Sequence, residues 1–402
     1  MRHKIRKYRK NLSVMFLTAA LTCRMTVVLN AQVPADRSVT YEKRITITVE
    51  NPLPVARKGE AVSLPVSALL KQAPDFNRRF FRLKHPPDGF EPLDVPMQIV
   101  NIPGRDETDD LVVFRVDLGP GERKNLELLY NPEGIDEIEY PPETQASDIW
   151  YRPGTTLAWE NTLVAYRSYN GIVDFFGKTY PHLRLHDMPN DTYHHERLWG
   201  VDPYLVGGKS GIGGIVLVTG DKKKRCYGSG DINPLTYSHR AFEGGAVAAG
   251  GTVTVIENSR PILNTLYILY SGHHENDVRT WMTEQNEDWY IAPGMQTFDN
   301  ADILLEEEKG YLIVRGRPVE EYGTIGTALV WNPEECAGTF KTDDGIFVML
   351  RPAGDNGVHY LSMAVWNRAS ADQPESSQAL RAAVEELARC FKNPVSVTVH
   401  NN

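Results

Sequence analysis

Cysteine is scarce in this chain, four residues in 402, and none of them stands in a CxxC spacing. Cys23 falls in the N-terminal leader discussed below, which leaves Cys226, Cys336 and Cys390. An odd, widely spaced set of three implies neither a disulfide framework nor a zinc knuckle, and these side chains read as small buried apolar groups. Long apolar runs are missing too. Beyond the leader nothing approaches the roughly 18–20 apolar residues of a spanning helix, so no transmembrane segment is expected in the mature chain. There is no repeat at a period of 20–50 residues, which disfavours a propeller or a solenoid. Gly208-Lys209-Ser210 resembles the end of a phosphate loop, but Pro203 stands where its first glycine is needed. Gly228-Ser229-Gly230 lacks the spacing of a nucleophile elbow.

The leader is the clearest feature present. Arg2, Lys4, Arg6, Lys7, Arg9 and Lys10 precede an apolar stretch from Leu12 to Leu21 with no acid among them. That order is a secretory signal, residues 1–31, with cleavage expected near Ala31 and a periplasmic or extracellular destination. A lipid anchor on Cys23 is the weaker alternative, because Thr22 and Arg24 flank it poorly. Removing residues 1–31 takes away seven Lys/Arg and no Asp/Glu, which moves the formal net charge from -9 to -16. So acidic a surface argues against nucleic acid as a partner. An anionic glycan would need a locally basic cleft.

From residue 38 to about 135 the pattern is that of strands. Ile45, Ile47 and Val49 alternate with Thr46 and Thr48, and 111–116 and 126–129 are further apolar runs, punctuated by Gly and Pro. An acidic, proline-containing stretch from 131 to 148 reads as a surface linker, so the boundary between an N-terminal β-sandwich-like region (38–135) and a larger one (149–402) is drawn there. The larger region again supplies short strands and suits a many-stranded double sheet. One helix is expected after Pro374, where Leu380, Val384, Leu387 and Phe391 recur at helical spacing before Asn393-Pro394.

Polar and aromatic residues are densest between Trp159 and Lys209, where four of the eleven histidines fall. Arg for a carboxylate, aromatic faces for a ring, and His or Tyr for a proton are what a sugar-acid cleft needs. His-His-Glu occurs twice, at 194–196 and 273–275. On strands, one histidine of each pair would face a cleft. His182 and His186 are four apart, but Pro181 and Pro189 bracket them, so a helical zinc pair is not expected. No metal and no cofactor enter the reading.

Several linked motifs in this stretch resemble a bacterial family catalogued as domain of unknown function 4861. They are Trp159-Glu160-Asn161, Ala165-Tyr166-Arg167, Asp174-Phe175-Phe176-Gly177-Lys178, Trp199-Gly200-Val201-Asp202 and the glycine-rich run from Val206 to Gly214. Val49-Glu50-Asn51-Pro52, Ile291-Ala292-Pro293-Gly294 and the segment 360–399 extend the likeness over nearly all of the mature chain. The resemblance implies an all-β fold similar to the galactose-mutarotase supersandwich, in a secreted protein of polysaccharide utilisation. Where the family pattern leads one to expect Asp/Glu before Trp-Gly, this chain has Arg197-Leu198.

On this basis the expected activity is a carbon-oxygen lyase or dehydratase acting by β-elimination on uronic-acid-containing oligosaccharides. Arg167, supported by Lys209 or Arg279, would neutralise the substrate carboxylate. His194, His195, Tyr193 or Tyr166 would take the proton, and His274 or Tyr237 would return one to the leaving oxygen. Trp159, Trp199, Asp202 and Trp366 would complete the substrate contacts. A glycoside hydrolase is the first alternative, with paired carboxylates drawn from Asp187, Asp191, Glu196, Asp202 and Glu275. The second is a non-catalytic sugar-binding protein with an aromatic platform.

Overall fold

Alternation along the chain becomes strands with two destinations. In Leu111–Leu118, Val112, Phe114 and Val116 enter one core, while Leu111 and Val113 enter a second with Phe242, Leu266 and Ile268. Both faces of that strand are therefore buried, which is why its sequence reads as a continuous apolar run. The computed structural model describes residues 40–86, 93–136, 139–150, 155–185, 194–228, 235–284, 288–354, 356–369, 373–374 and 376–401. The leader expected at 1–31 lies outside them.

The described strands form five sheets, and every pairing between them is antiparallel. The N-terminal region carries a four-stranded and a three-stranded sheet, packed through Ile45, Ile47, Leu64, Phe114, Leu126 and Leu128. The larger region carries two five-stranded sheets and one of eight strands, which share a single large core. This is the all-β supersandwich architecture that the family resemblance implies.

Helix Ser377–Lys392 covers the outer face of the eight-stranded sheet. Its apolar stripe seats Leu380, Val384 and Ala388 against Tyr311, Ile313, Ala328 and Val365. Burying Leu380 and Val384 contributes about 1.5–3 kcal/mol each. Ser376 caps its start by accepting from the Ala379 amide at 3.1 Å. A second, short helix, Val66–Gln72, was not expected; Pro65 stands at its N-cap and Leu69 is fully buried.

Two further departures come from strand pairing, one local and one between the two ends of the chain. The acidic stretch read as a linker ends in a strand, Thr144–Trp150, which pairs with Thr155–Asn161. The last strand, Ser396–Asn401, pairs with Lys43–Glu50 and so completes the N-terminal sheet from the far end of the chain. Residues Tyr41–Asn402 cluster as one compact unit.

Candidate active site

Strands Val164–Tyr169 and Ile172–Lys178 form a hairpin around Asn170-Gly171, both with positive φ, as a two-residue hairpin turn demands. That register sets Arg167 opposite Asp174, and Arg167 Nη2 donates to Asp174 Oδ2 at 2.8 Å. The guanidinium is also held between rings, 5.0 Å from the Tyr169 centroid and 5.2 Å from that of Phe176.

Asp202 is delivered to the same spot by the two-residue strand Gly200–Val201, which pairs with Gly177 and Lys178. Gly200 has φ +141°, and a Cβ there would lie 1.8 Å from the Gly177 carbonyl oxygen, so no other residue fits. The Asp202 carboxyl is fully buried. Its Oδ1 accepts from the Tyr204 amide at 3.0 Å, and its Oδ2 lies 4.0 Å from Arg167 Nη2 and 3.3 Å from His194 Nδ1.

Burial and the neighbouring Asp174 charge push the Asp202 carboxyl well above the usual range. Asp174 is also raised by burial, with Arg167 opposing the shift. Of the two carboxyls Asp202 is the more strongly raised, because it has the Asp174 charge beside it while Arg167 supports Asp174 directly. His194 is lowered by burial against the pull of Asp174, and its imidazole is therefore neutral at pH 7. It is nonetheless half exposed, at 48%. A neutral imidazole within reach of the Asp174 charge can take up a proton, since that charge favours its protonated form.

The rim comes from another sheet. The Tyr322 hydroxyl donates to the His194 carbonyl, and Trp366 Nε1 holds the Tyr322 carbonyl at 2.6 Å. Burial raises the Tyr322 hydroxyl, which keeps its proton at neutral pH. Arg368 lies 3.3 Å from Glu196 and donates to the Glu321 carbonyl at 2.6 Å. Arg197 and Leu198, where the chain departs from the family pattern, form the exposed tip of a tight turn closed by the Arg197 and Gly200 backbones.

Beneath the site lies a fully buried Lys178–Glu160 ion pair. Lys178 Nζ also donates to the carbonyls of Asn161 at 2.6 Å and His182 at 2.8 Å, while Glu160 accepts from the amides of Arg184 and Leu185. Burial pulls the Lys178 ammonium down and Glu160 opposes this. The pair ties the segment after Lys178 to the sheet. Sequence reasoning passed over it, along with Tyr322 and Arg368.

Other expected site residues lie elsewhere. Trp159 is inside the core, its Nε1 donating to Asn276 Oδ1 at 2.7 Å and its ring 4.9 Å from that of Tyr267. Tyr166 is equally buried; its hydroxyl donates to the His274 carbonyl and accepts from the Ala364 amide. Burial raises that phenol, so it is no base. Trp199 and Trp366 are buried as well. None of these four rings presents a face to a sugar, which corrects the platform expectation. Arg167 is corrected likewise: ion-paired and at 7% exposure, it organises carboxyls of the protein instead of receiving one from a substrate.

Tyr237 donates to the Gly228 carbonyl at 2.9 Å, and Lys209 sits in the turn before strand Ile212–Thr219. His195 is exposed beside His194. Arg279 projects from the far face of strand Glu275–Met282, and His274 immediately precedes that strand. Tyr193, His186, Asp187 and Asp191 lie outside the described residues. Among the described residues no three His, Cys, Asp or Glu side chains gather as metal ligands.

None of the curated proteins matches this chain. Solved structures similar to it include a protein in glycosyl hydrolase family 38 from Enterococcus faecalis, at 12% identity and a TM-score of 0.48, covering 90% of this chain and 48% of that one. An alpha-mannosidase from Enterococcus faecalis V583 is similar at 12% identity and a TM-score of 0.44, covering 91% and 47%. The chain spans about half the length of these proteins, and a likeness so distant carries no argument about activity. The family model described as domain of unknown function (DUF4861) matches residues 49–397, a span that holds every residue of the site above, and the chain belongs to that family.

Proposed function

We propose that the protein is exported and acts on uronic-acid-containing oligosaccharides as a carbon-oxygen lyase. The observation that carries this reading is the half-exposed, neutral His194 with its Nδ1 3.3 Å from the buried Asp202. His194 takes the proton from the carbon beside the uronate carboxylate. The electron pair of that bond forms the new double bond, the adjacent carbon-oxygen bond breaks, and the Tyr322 hydroxyl supplies the proton to the leaving oxygen. Arg368, at the rim on an exposed ion pair that exchanges readily, meets the substrate carboxylate.

Two facts set the alternatives back. Retaining and inverting glycosidases hold their carboxyls roughly 5–5.5 Å or 6.5–9.5 Å apart. Of the carboxyls expected for hydrolysis, Asp202 is fully buried and Glu275 is held by His273 at 2.6 Å, which leaves only Glu196 exposed beside His194 among the described residues. A passive sugar platform loses four of its expected rings among the described residues, since Trp159, Tyr166, Trp199 and Trp366 are buried.

The test is to incubate the mature protein with a panel of uronate oligosaccharides and follow the ultraviolet band of unsaturated uronates. Absorbance that grows with wild type and fails with His194→Ala supports the reading. Reducing ends released without absorbance, or no turnover on any member, would overturn it.

A further inference from the structure

A cleft of about 360 Å³ opens on the face of the eight-stranded sheet that is turned away from the main core. In strand Glu275–Met282, Asn276, Val278 and Thr280 point into that core, so Glu275, Asp277 and Arg279 point into the cleft. His359 and Leu361 stand beside Arg279 and Asp277 on the neighbouring strand. Glu60 and Ser63 come from the N-terminal region, and the end of helix Ser377–Lys392 closes the other side with Leu387 and Phe391.

The polar wall is rigid and balanced in charge. Asp277 Oδ1 is 2.9 Å from His359 Nε2 and 3.3 Å from Arg279 Nε. Glu275 is 2.6 Å from His273 Nδ1, whose Nε2 lies 2.8 Å from the Gly59 carbonyl. Glu60 accepts from Arg57 at 2.7 Å. Each carboxylate thus has a basic side chain of its own, which leaves none unpaired to draw a cation. Arg279 and His359 stay accessible at 36% and 46%, and carboxylates keep further lone pairs for hydroxyl donors. The opposite wall is apolar, through Leu387, Phe391, Val395 and Val397, and at one end the Phe391 ring meets that of His359, centroids 4.7 Å apart.

Fixed donors and acceptors facing an apolar wall match a ring with a hydroxyl edge and a C–H face. The volume lies in the range of small-molecule sites. We propose that this cleft is a second binding site, for a neutral sugar unit of an oligosaccharide, separate from the site at His194. Binding here is measured without turnover, so it stands or falls independently of the lyase reading.

The experiment is isothermal titration of the mature protein with neutral disaccharides and, in parallel, a uronate disaccharide. His359→Ala, Phe391→Ala and His194→Ala are titrated alongside, and hydrogen exchange is recorded on the wild type. At least one neutral disaccharide should bind at millimolar concentration or tighter. That affinity should fall about tenfold or more in His359→Ala and Phe391→Ala, stay unchanged in His194→Ala, and be accompanied by added amide protection at 275–279 and 359–361. Should a cleft variant fail to fold, the wild-type protection pattern decides. Silence from every neutral sugar, binding of the uronate alone, or binding lost only in His194→Ala would overturn the proposal.

Discussion

His194 Nδ1 lies 3.3 Å from Asp202 Oδ2, so a half-exposed imidazole leans on a carboxyl that solvent does not reach. Asp202 in turn lies beside the Asp174 charge, which Arg167 holds at 2.8 Å. Protonation of the imidazole is thereby linked to a buried chain of three charged or chargeable groups. In a water-poor setting such links are stronger than at a surface.

The first consequence is a pH profile. His194 is held below its ordinary value by burial, so it is the neutral base at pH 7 and loses that role only as the pH falls through its folded pKa. The rate of the proposed elimination should be flat across neutral pH and decline on an acidic limb lying below about 6.5, the ordinary histidine value. His194→Ala should remove about 10²–10⁴ of kcat and abolish that limb. A pH–rate series on both proteins checks it.

Asp202 and Arg167 should respond differently to removal of charge. Burial and the Asp174 charge raise Asp202 well above the usual carboxylate range, so Asp202→Asn, a neutral group of similar shape, should hardly move the melting temperature. Arg167→Met leaves Asp174 without its cation and should cost about 3–5 kcal/mol in urea unfolding. Equal destabilisation by the two variants would contradict the upward shift of Asp202.

Gly200 tests how Asp202 is aimed. A methyl at this position meets the Gly177 carbonyl oxygen at 1.8 Å, a backbone atom that cannot rotate aside. Gly200→Ala should lose several kcal/mol, on the order of the largest single-site effects, whereas Gly207→Ala, with open space around it, should lose far less. Parallel denaturant melts distinguish them.

His273 makes stability depend on pH on the alkaline side. Burial alone would lower it, but the Glu275 charge and hydrogen bond outweigh burial and raise it to about 9. A folded value above the unfolded one gives stability that is complete below about 6.5 and fades as the pH rises through about 9. The wild type should therefore lose on the order of 2–3 kcal/mol across that window. His273→Asn should show a flatter curve, read by urea melts at successive pH values.

Much of the fold is written in short stretches. The period-two run at 45–49 is a strand, and the repeat through Leu380, Val384 and Leu387 is helix Ser377–Lys392. The Asn170-Gly171 turn that sets 167 opposite 174 is equally local, yet from sequence Arg167 reads as the partner of a substrate carboxylate, because the turn does not reveal that both side chains are buried together. Tyr322 and Arg368 gave no such signal. They reach His194 and Glu196 from 128 and 172 residues away, through stacking of sheets that no local pattern records.

The aromatic residues draw the same line. That Trp159, Tyr166 and Trp366 are large and amphipathic is a property of the sequence, and it is consistent with either a sugar face or a core. Only the packing of one sheet on another sent them inward, where Asn276, the His274 and Tyr322 carbonyls and the Ala364 amide satisfy their polar atoms. The sequence by itself determined strand content, the C-terminal helix and family membership, because each depends on neighbours a few residues apart or on linked motifs. Which carboxyl is the more strongly raised, which arginine is paired and where a cleft opens were decided by tertiary structure, because burial and charge proximity exist only once distant strands have met.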